Sequence, residues 1–447
     1  MQRLTAMDAN FLYIETPETP MHGASVQFLE LPDGYEGDFF AEFRDHMVWA
    51  IPQFPFLHQR LHDTPLHLDH PVWVEAADLD LDYHVRHEVL DQPGEPEQLI
   101  ELVERLHVPL LDRDRPLWRY TLIEGLASGQ VVLHTKAHHA CMDGMASQEL
   151  LRRFYSRSPE PGPLEPVAAL PEEPEPSAVT MLRDAYGHLA GQSAKALRAV
   201  PGAARRLFQA GARAIEGGLP ARAPRTRFDV TVTAERSCAI VTLPFSGVRA
   251  IAHANEATVN DVVMALCGRA LRTYLAEKDE LPTKPLIAFV PVSLRSEGDA
   301  HLDNQVFGMM TELATHVDDP VDQLAEVHDA AAVAKEQAGE LGQLMPQDFG
   351  FLGAPALIEG VVGLAGSLRL LERLPQMFNL VISNVPGPRE PLYLCGAKLL
   401  GQYPMSMPLH GCALNMTVFG YAGSLDFGLI ACRQAVPDVH RLGQFLE

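Results

Sequence analysis

Apolar residues recur along this chain in two periods, and the two alternate. Helical spacing of three and four runs from Ala41 to Ile51 and again from Leu99 to Leu106. Short β-rich runs lie at Trp73-Val74-Glu75, Leu117 to Ile123 and 131–139, so the first 157 residues read as a mixed α/β unit. From Phe228 the alternation resumes. It predicts strands at Cys238 to Leu243, Pro285 to Val292, Val306 to Leu313, Asn379 to Ser383 and Leu414 to Phe419. Helices are expected at Thr258 to Leu275, with Thr258 as the cap, and at Val321 to Ala338.

Between the two units the pattern stops. Ser158 to Pro176 is crowded with proline and glutamate, which excludes a helix or a central strand and reads as a tether. Residues 178–217 are alanine-rich and helical in pattern, interrupted at Pro201-Gly202. They carry Arg183, Lys195, Arg198, Arg205, Arg206 and Arg213, and Arg222, Arg225 and Arg227 follow. This basic segment suits either contact with anionic lipid or packing on the acidic remainder of its own chain. The simplest organisation is 1–157, a linker at 158–227, and 228–447.

Charge narrows the partners. The net charge of −23 argues against nucleic acid, whose phosphates call for a basic surface. The six cysteines, Cys141, Cys238, Cys267, Cys395, Cys412 and Cys432, include no C-x-x-C pair and read as reduced thiols of a cytoplasmic protein. The N-terminus lacks the apolar core of a signal peptide. The apolar stretch from Phe351 to Leu371 contains Pro355, Glu359 and Arg369 and is not expected to span a membrane.

The chemistry concentrates at His138-His139-Ala140-Cys141-Met142-Asp143-Gly144. On a strand over 131–139, His139 shares a face with Val131, Leu133, Thr135 and Ala137, and His138 faces the other way with Val132, His134 and Lys136. An imidazole at the end of a mostly apolar face suits a general base at the floor of a cavity, and Asp143 and Gly144 suit a tight turn holding it there. Three other readings remain: a metal site, for which the histidine spacing on a strand is poor; a covalent thiol at Cys141; and a structural histidine pair.

The chain resembles the bacterial wax ester synthase/acyl-CoA:diacylglycerol O-acyltransferase family. The resemblance rests on the His138-His139-x-x-x-Asp143-Gly144 segment, which the wider CoA-dependent acyltransferase superfamily shares, and on more specific segments. These are Leu4-x-x-Met7-Asp8-x-x-Phe11-Leu12-x-x-Glu15 with Pro20-Met21-His22, then Pro116-Leu117-Trp118, Thr258-Val259-Asn260-Asp261 and Pro291-Val292-Ser293-Leu294-Arg295. Ser383-Asn384-Val385-Pro386-Gly387-Pro388 and Asp426-Phe427-Gly428 complete the series, in order from residue 4 to about 438.

The resemblance implies two chloramphenicol-acetyltransferase-like α/β domains, each a mixed sheet with helices, pseudo-dimeric around a central channel. Long-chain acyl-CoA is then a substrate rather than a cofactor, and no metal or cofactor is expected. A fatty alcohol or diacylglycerol is the acceptor, giving wax ester or triacylglycerol. His139 takes the hydroxyl proton, as an imidazole near neutrality can, without an acyl-enzyme. His138 steadies the turn by hydrogen bonding, and Asp143 and Gly144 shape it. Asn260 and Asn384 are the candidates for holding the oxyanion, where one donor is worth about 3–4 kcal/mol; the alternatives are a helix-start cap and plain turn chemistry. Asp261, Pro116, Leu117 and Trp118 are structural, with Trp118 a core aromatic or a substrate contact. Arg295 meets a CoA phosphate or stays solvated. Gly353, Gly360, Gly363 and Gly366 leave room for an alkyl chain or allow close helix packing. A peripheral visit to the inner membrane face or to lipid inclusions accompanies such substrates. Within the superfamily the competing functions are transfer from a carrier-protein thioester or to a specialised diol; outside it, non-catalytic lipid binding.

Overall fold

The computed structural model describes residues 2–76, 78–141, 151–160, 162, 176–188, 191, 222–293, 306–344 and 376–447. Two six-stranded sheets organise them. The first runs, edge to edge, through Tyr393–Leu394, Ala397–Met405, His22–Glu30, Val131–His138, Trp118–Glu124 and Val85–Val89. All its pairings are antiparallel except the last, which is parallel. The second runs through Val306–Glu312, Ile287–Ser293, Leu380–Pro386, Leu414–Tyr421, Ser424–Cys432 and Arg236–Pro244, with Leu380–Pro386 parallel to both neighbours. Both sheets are mixed, as expected. A small antiparallel sheet of Gln2–Arg3, Val72–Glu75 and Gln59–His62 flanks the first.

The first sheet draws on both ends of the chain. Ala397–Met405 leaves the second half of the sequence and pairs with His22–Glu30. It is held across the second sheet from below: Asp426 accepts from the Gln402 amide at 3.0 Å and from the Thr242 hydroxyl at 3.1 Å. At Gly428 a Cβ would stand 1.7 Å from the Pro404 carbonyl oxygen, so only glycine admits the crossing. The Asp426-Phe427-Gly428 segment is therefore the seat of a crossing strand.

Each sheet has its own apolar core, and a third cluster joins them. Helix Pro96–His107 starts at a capping box of Glu95 and Gln98 and buries Leu99, Leu102 and Val103 at helical spacing. These pack with Val26 and Val132 of the first sheet and with Cys238 and Ile430 of the second. Glu104 of this helix accepts the Cys238 amide at 2.8 Å and pairs with Arg433.

The expected elements that fall on described residues are present with ends shifted by a few residues; the helix capped by Thr258 is Val259–Ala276, the long one is Pro320–Leu344, and most of the expected tether and of the helical segment, 163–175 and 192–217, lies outside the described residues. Strand His22–Glu30 escapes the pattern because its buried polar residues satisfy one another. Ser25 Oγ lies 2.7 Å from Thr135 Oγ1, and the Gln27 amide donates to Ser25 at 3.0 Å. Residues 178–188 are helical and lie on the small sheet, where Met181 packs with Val72 and Val74 and His188 Nδ1 stands 2.9 Å from Asp69. All six cysteines are unpaired. Among the described residues no helix is long and apolar enough to cross a membrane; the stretch 351–371 lies outside them.

Candidate active site

Strand Val131–His138 ends where two histidines part. Val131, Leu133 and Ala137 enter the core of the first sheet, while Val132 enters the cluster between the sheets. His139, just past the strand, follows Ala137 in this alternation. Its amide donates to the Met21 carbonyl at 2.9 Å, which ties the chain to the strand beginning at His22. Its ring stacks on Phe11 at 5.2 Å. A Cβ at Gly23 would come within 3.4 Å of Nε2, so the missing side chain leaves that nitrogen uncovered. Nε2 is shielded from solvent and has no partner among the described residues. Burial, aided by the neighbouring His138, pushes the His139 pKa down to about 4, so the ring is neutral at physiological pH.

His138 is fully buried and serves the turn. The Ala140 amide donates to its Nδ1 at 3.0 Å, which leaves the proton on Nε2. That nitrogen lies 3.3 Å from Glu15 Oε1. Glu15, quoted within the N-terminal motif but given no role there, proves central. Its carboxylate is 2% exposed, accepts the Met21 amide at 3.0 Å and is bound by Arg113 at 3.0 Å. Burial works to raise the Glu15 pKa, but His138, the Met21 amide and Arg113 together outweigh it and hold the group ionised. No spacing in the sequence links Glu15 to His138 or Arg113; the signal was only its place in the motif.

Pro116-Leu117-Trp118 supports this turn from the neighbouring strand. The Leu117 carbonyl accepts the His138 amide at 2.9 Å. Trp118 is fully buried, donates its indole N–H to the Leu57 carbonyl at 2.9 Å and stacks on His84 at 4.5 Å. It is a core aromatic. Cys141 does not have the makings of a nucleophile: its thiol donates to the His138 carbonyl at 3.0 Å, and burial pushes its pKa up to about 12.

Asn260 and Asn384, 124 positions apart in sequence, come together. Asn384 Nδ2 donates to Asn260 Oδ1 at 3.4 Å, from the end of strand Leu380–Pro386 to the first turn of helix Val259–Ala276. Asn260 is not the cap. Thr258 and Asp261 form a capping box, and Asp261 also binds His328 at 2.8 Å. Among the described residues, the Asn260 amide bonds beyond Asn384 only weakly, to Met264 sulfur at 3.9 Å. Asp143, Gly144, Arg295, Gly353, Gly360, Gly363 and Gly366 lie outside the described residues. Among the described residues no three His, Cys, Asp or Glu side chains are grouped to hold a metal ion.

A family model described as the wax ester synthase/diacylglycerol acyltransferase catalytic domain matches residues 4–263, and one described as the WS/DGAT C-terminal domain matches residues 302–447. A probable diacylglycerol O-acyltransferase of Mycobacterium tuberculosis is 38% identical over 461 aligned residues, covering 100% of this chain and 97% of the relative. A wax ester synthase/diacylglycerol acyltransferase structure from Marinobacter aquaeolei VT8 shares 33% identity at a TM-score of 0.72, covering 100% of this chain and 97% of that one. The first condensation domain of the calcium-dependent antibiotic synthetase, at 16% identity and a TM-score of 0.57 over 100% of this chain and 95% of its own, shares the fold.

Proposed function

Because the chain belongs to the wax ester synthase/diacylglycerol acyltransferase family, we propose that His139 is the general base of its acyl transfer. The protein is an acyl-CoA-dependent O-acyltransferase that forms triacylglycerol or wax ester. In the step assigned to His139, Nε2 takes the proton of the acceptor hydroxyl as its oxygen attacks the thioester carbonyl. The carbonyl oxygen takes up the negative charge. When the tetrahedral intermediate collapses, the C–S bond breaks and the CoA thiolate takes the proton from the imidazolium. Two products leave, an ester and CoA thiol, and no enzyme bond is made.

The observation that carries this reading is the state of Nε2: neutral, shielded from solvent, unpartnered among the described residues, and faced by the missing side chain of Gly23. The paired amides of Asn260 and Asn384 offer donors for the oxyanion, with the start of a helix behind Asn260. His138 and Glu15 hold the backbone on which His139 stands. Acyl-CoA and the acceptor enter a channel between the two halves as substrates, and no cofactor takes part. The acceptor and the acyl chain are apolar, so the cytoplasmic enzyme meets them at a lipid surface. The outward face of helix 178–188, with Val179, Arg183 and Tyr186 exposed, suits such contact; flotation with anionic liposomes, with and without Tyr186→Ser and Val179→Ser, tests it.

The chemical test is thiol release from palmitoyl-CoA, with hexadecanol or diacylglycerol offered separately. Acceptor-dependent release should fall by roughly 10²–10⁴-fold in His139→Ala and persist in Cys141→Ala. Release that is unchanged in His139→Ala would remove the base assignment.

A further inference from the structure

The N-terminal motif that runs from Leu4 to Glu15 brings more than Glu15 to the site. Helix Ala6–Ile14 is capped by Thr5, whose side chain accepts the Asp8 amide at 3.1 Å, and it ends at Glu15. Just before it, the Leu4 amide donates to the Pro71 carbonyl at 3.1 Å. Its buried residues Ala9, Leu12 and Tyr13 pack in one apolar cluster with Leu117 and with Ala140, the residue after His139. Tyr13 Oη lies 2.8 Å from His70 Nδ1. Arg113 Nη2 donates to the Leu12 carbonyl at 2.6 Å and to Glu15 Oε2 at 3.0 Å. The helix is therefore tied down along its whole length.

Two residues four apart on this element meet the two histidines. Glu15 Oε1 stands 3.3 Å from His138 Nε2. One turn earlier the Phe11 ring lies against the His139 ring, with centroids 5.2 Å apart and planes 24° from parallel. Phe11 is half-buried and takes no part in the cluster that Ala9, Leu12 and Tyr13 build. Core packing does not account for its ring; the imidazole does.

That imidazole needs such a neighbour. The torsion that turns a histidine ring is broad, so no sharp rotamer sets its plane. Among the described residues no hydrogen bond holds Nε2. The lone pair of this nitrogen lies in the ring plane, so the tilt of the plane decides where the lone pair points. A ring stacked on the face at a favoured separation fixes that tilt and leaves the edge free. The edge is where Gly23 lacks a side chain.

We propose that Phe11 is a positioning residue of the acyl transfer: by lying on the face of His139 it aims Nε2 at the acceptor hydroxyl. The proposal rests on His139 being the base.

The test is steady-state kinetics of the whole protein with palmitoyl-CoA and hexadecanol or diacylglycerol, whichever acceptor the wild type uses. Phe11→Leu keeps an apolar side chain but no ring, and Phe11→Tyr keeps the ring. Misplacing reacting groups by about 1 Å costs up to about 10²-fold in rate. In Phe11→Leu, kcat should fall about 10- to 100-fold while KM for palmitoyl-CoA stays within about twofold. Phe11→Tyr, the conservative variant, should recover most of the loss. Should Phe11→Leu fail to fold, Phe11→Met, which fills irregular space more readily, takes its place. Wild-type kcat without the ring, a kcat in Phe11→Tyr as low as in Phe11→Leu, or a loss confined to KM overturns the proposal. His139→Ala, measured alongside, separates the two assignments. If it loses activity while Phe11→Leu keeps full kcat, the base stands and its positioning by Phe11 falls. If His139→Ala keeps its rate, the base falls and the positioning with it.

Discussion

At the scale of single residues, the uncovered nitrogen of His139 rests on what Gly23 lacks. A methyl group there would lie 3.4 Å from Nε2 and 3.8 Å from Cε1, an ordinary contact that the packing can accept. Replacing glycine by alanine inside a strand also removes backbone entropy from the unfolded chain, worth up to about 1 kcal/mol of stability. Yet the attacking hydroxyl needs that same space, because proton transfer requires it within about 3 Å of Nε2. Gly23→Ala should therefore keep or slightly raise the thermal midpoint while acceptor-dependent CoA release falls by about tenfold or more. A variant with unchanged rate and unchanged midpoint would show that the hydroxyl reaches Nε2 from another side. Glu15 makes the complementary point. Its type and place were legible, but its work was not, since it binds Arg113 and His138 from 98 and 123 positions away.

Among the elements, the crossing strand Ala397–Met405 is the one on which both sheets depend. Its Pro404 carbonyl occupies the volume of a Gly428 side chain, and that carbonyl cannot move aside because it is backbone on a strand paired with His22–Glu30 at Tyr403, Pro404 and Met405. Gly428→Ala should lower the thermal midpoint by several degrees or more, in the range of overpacked cores, about 1–3 kcal/mol or above. Near-ultraviolet circular dichroism and melting would record it; a wild-type melt would mean the strand can lift from the second sheet at no cost. This strand also marks the limit of what periodicity conveys. Val131–His138 is legible because Val131-Val132-Leu133 opens it and one of its faces stays mostly apolar. Helices such as Val259–Ala276 are legible because cap and period agree. His22–Glu30 hides behind Ser25 and Gln27, whose polarity is cancelled by each other and by Thr135 and Tyr155, both more than 100 positions away. The crossing itself is a long-range pairing between residues about 375 apart, and no local pattern encodes it. The meeting of Asn260 with Asn384 is of the same kind: both residues were legible, their contact was not.

The whole molecule keeps an unusual number of imidazoles neutral in its interior, and this sets its response to acid. Burial pushes His46, His84 and His139 down to about 4 and His134 to about 3, and drives His22 and His107 well below the ordinary value. In the unfolded chain all six titrate near 6.5. Their folded values are depressed, so between those limits the unfolded state binds more protons, and stability falls as pH falls. The contribution is intact above about pH 6.5 and is lost progressively toward pH 4, at up to about 1.4 kcal/mol per pH unit for each histidine. Asp229, raised to about 6, and Asp426, also raised by burial, act in the opposite sense and gain as pH falls. Two carboxyls do not offset six imidazoles. By pH 5.5 the histidines alone remove on the order of 8 kcal/mol, comparable with the whole stability of an ordinary domain. Thermal melts at pH 7.5, 6.5, 5.5 and 4.5 should show little change over the first step and a steep drop over the second. His139→Ala should soften that drop by its single share, since it deletes one of the six. A midpoint that stays level down to pH 4.5 would mean that these rings are protonated without cost in the folded protein, and the neutral state assigned to His139 would fall with them.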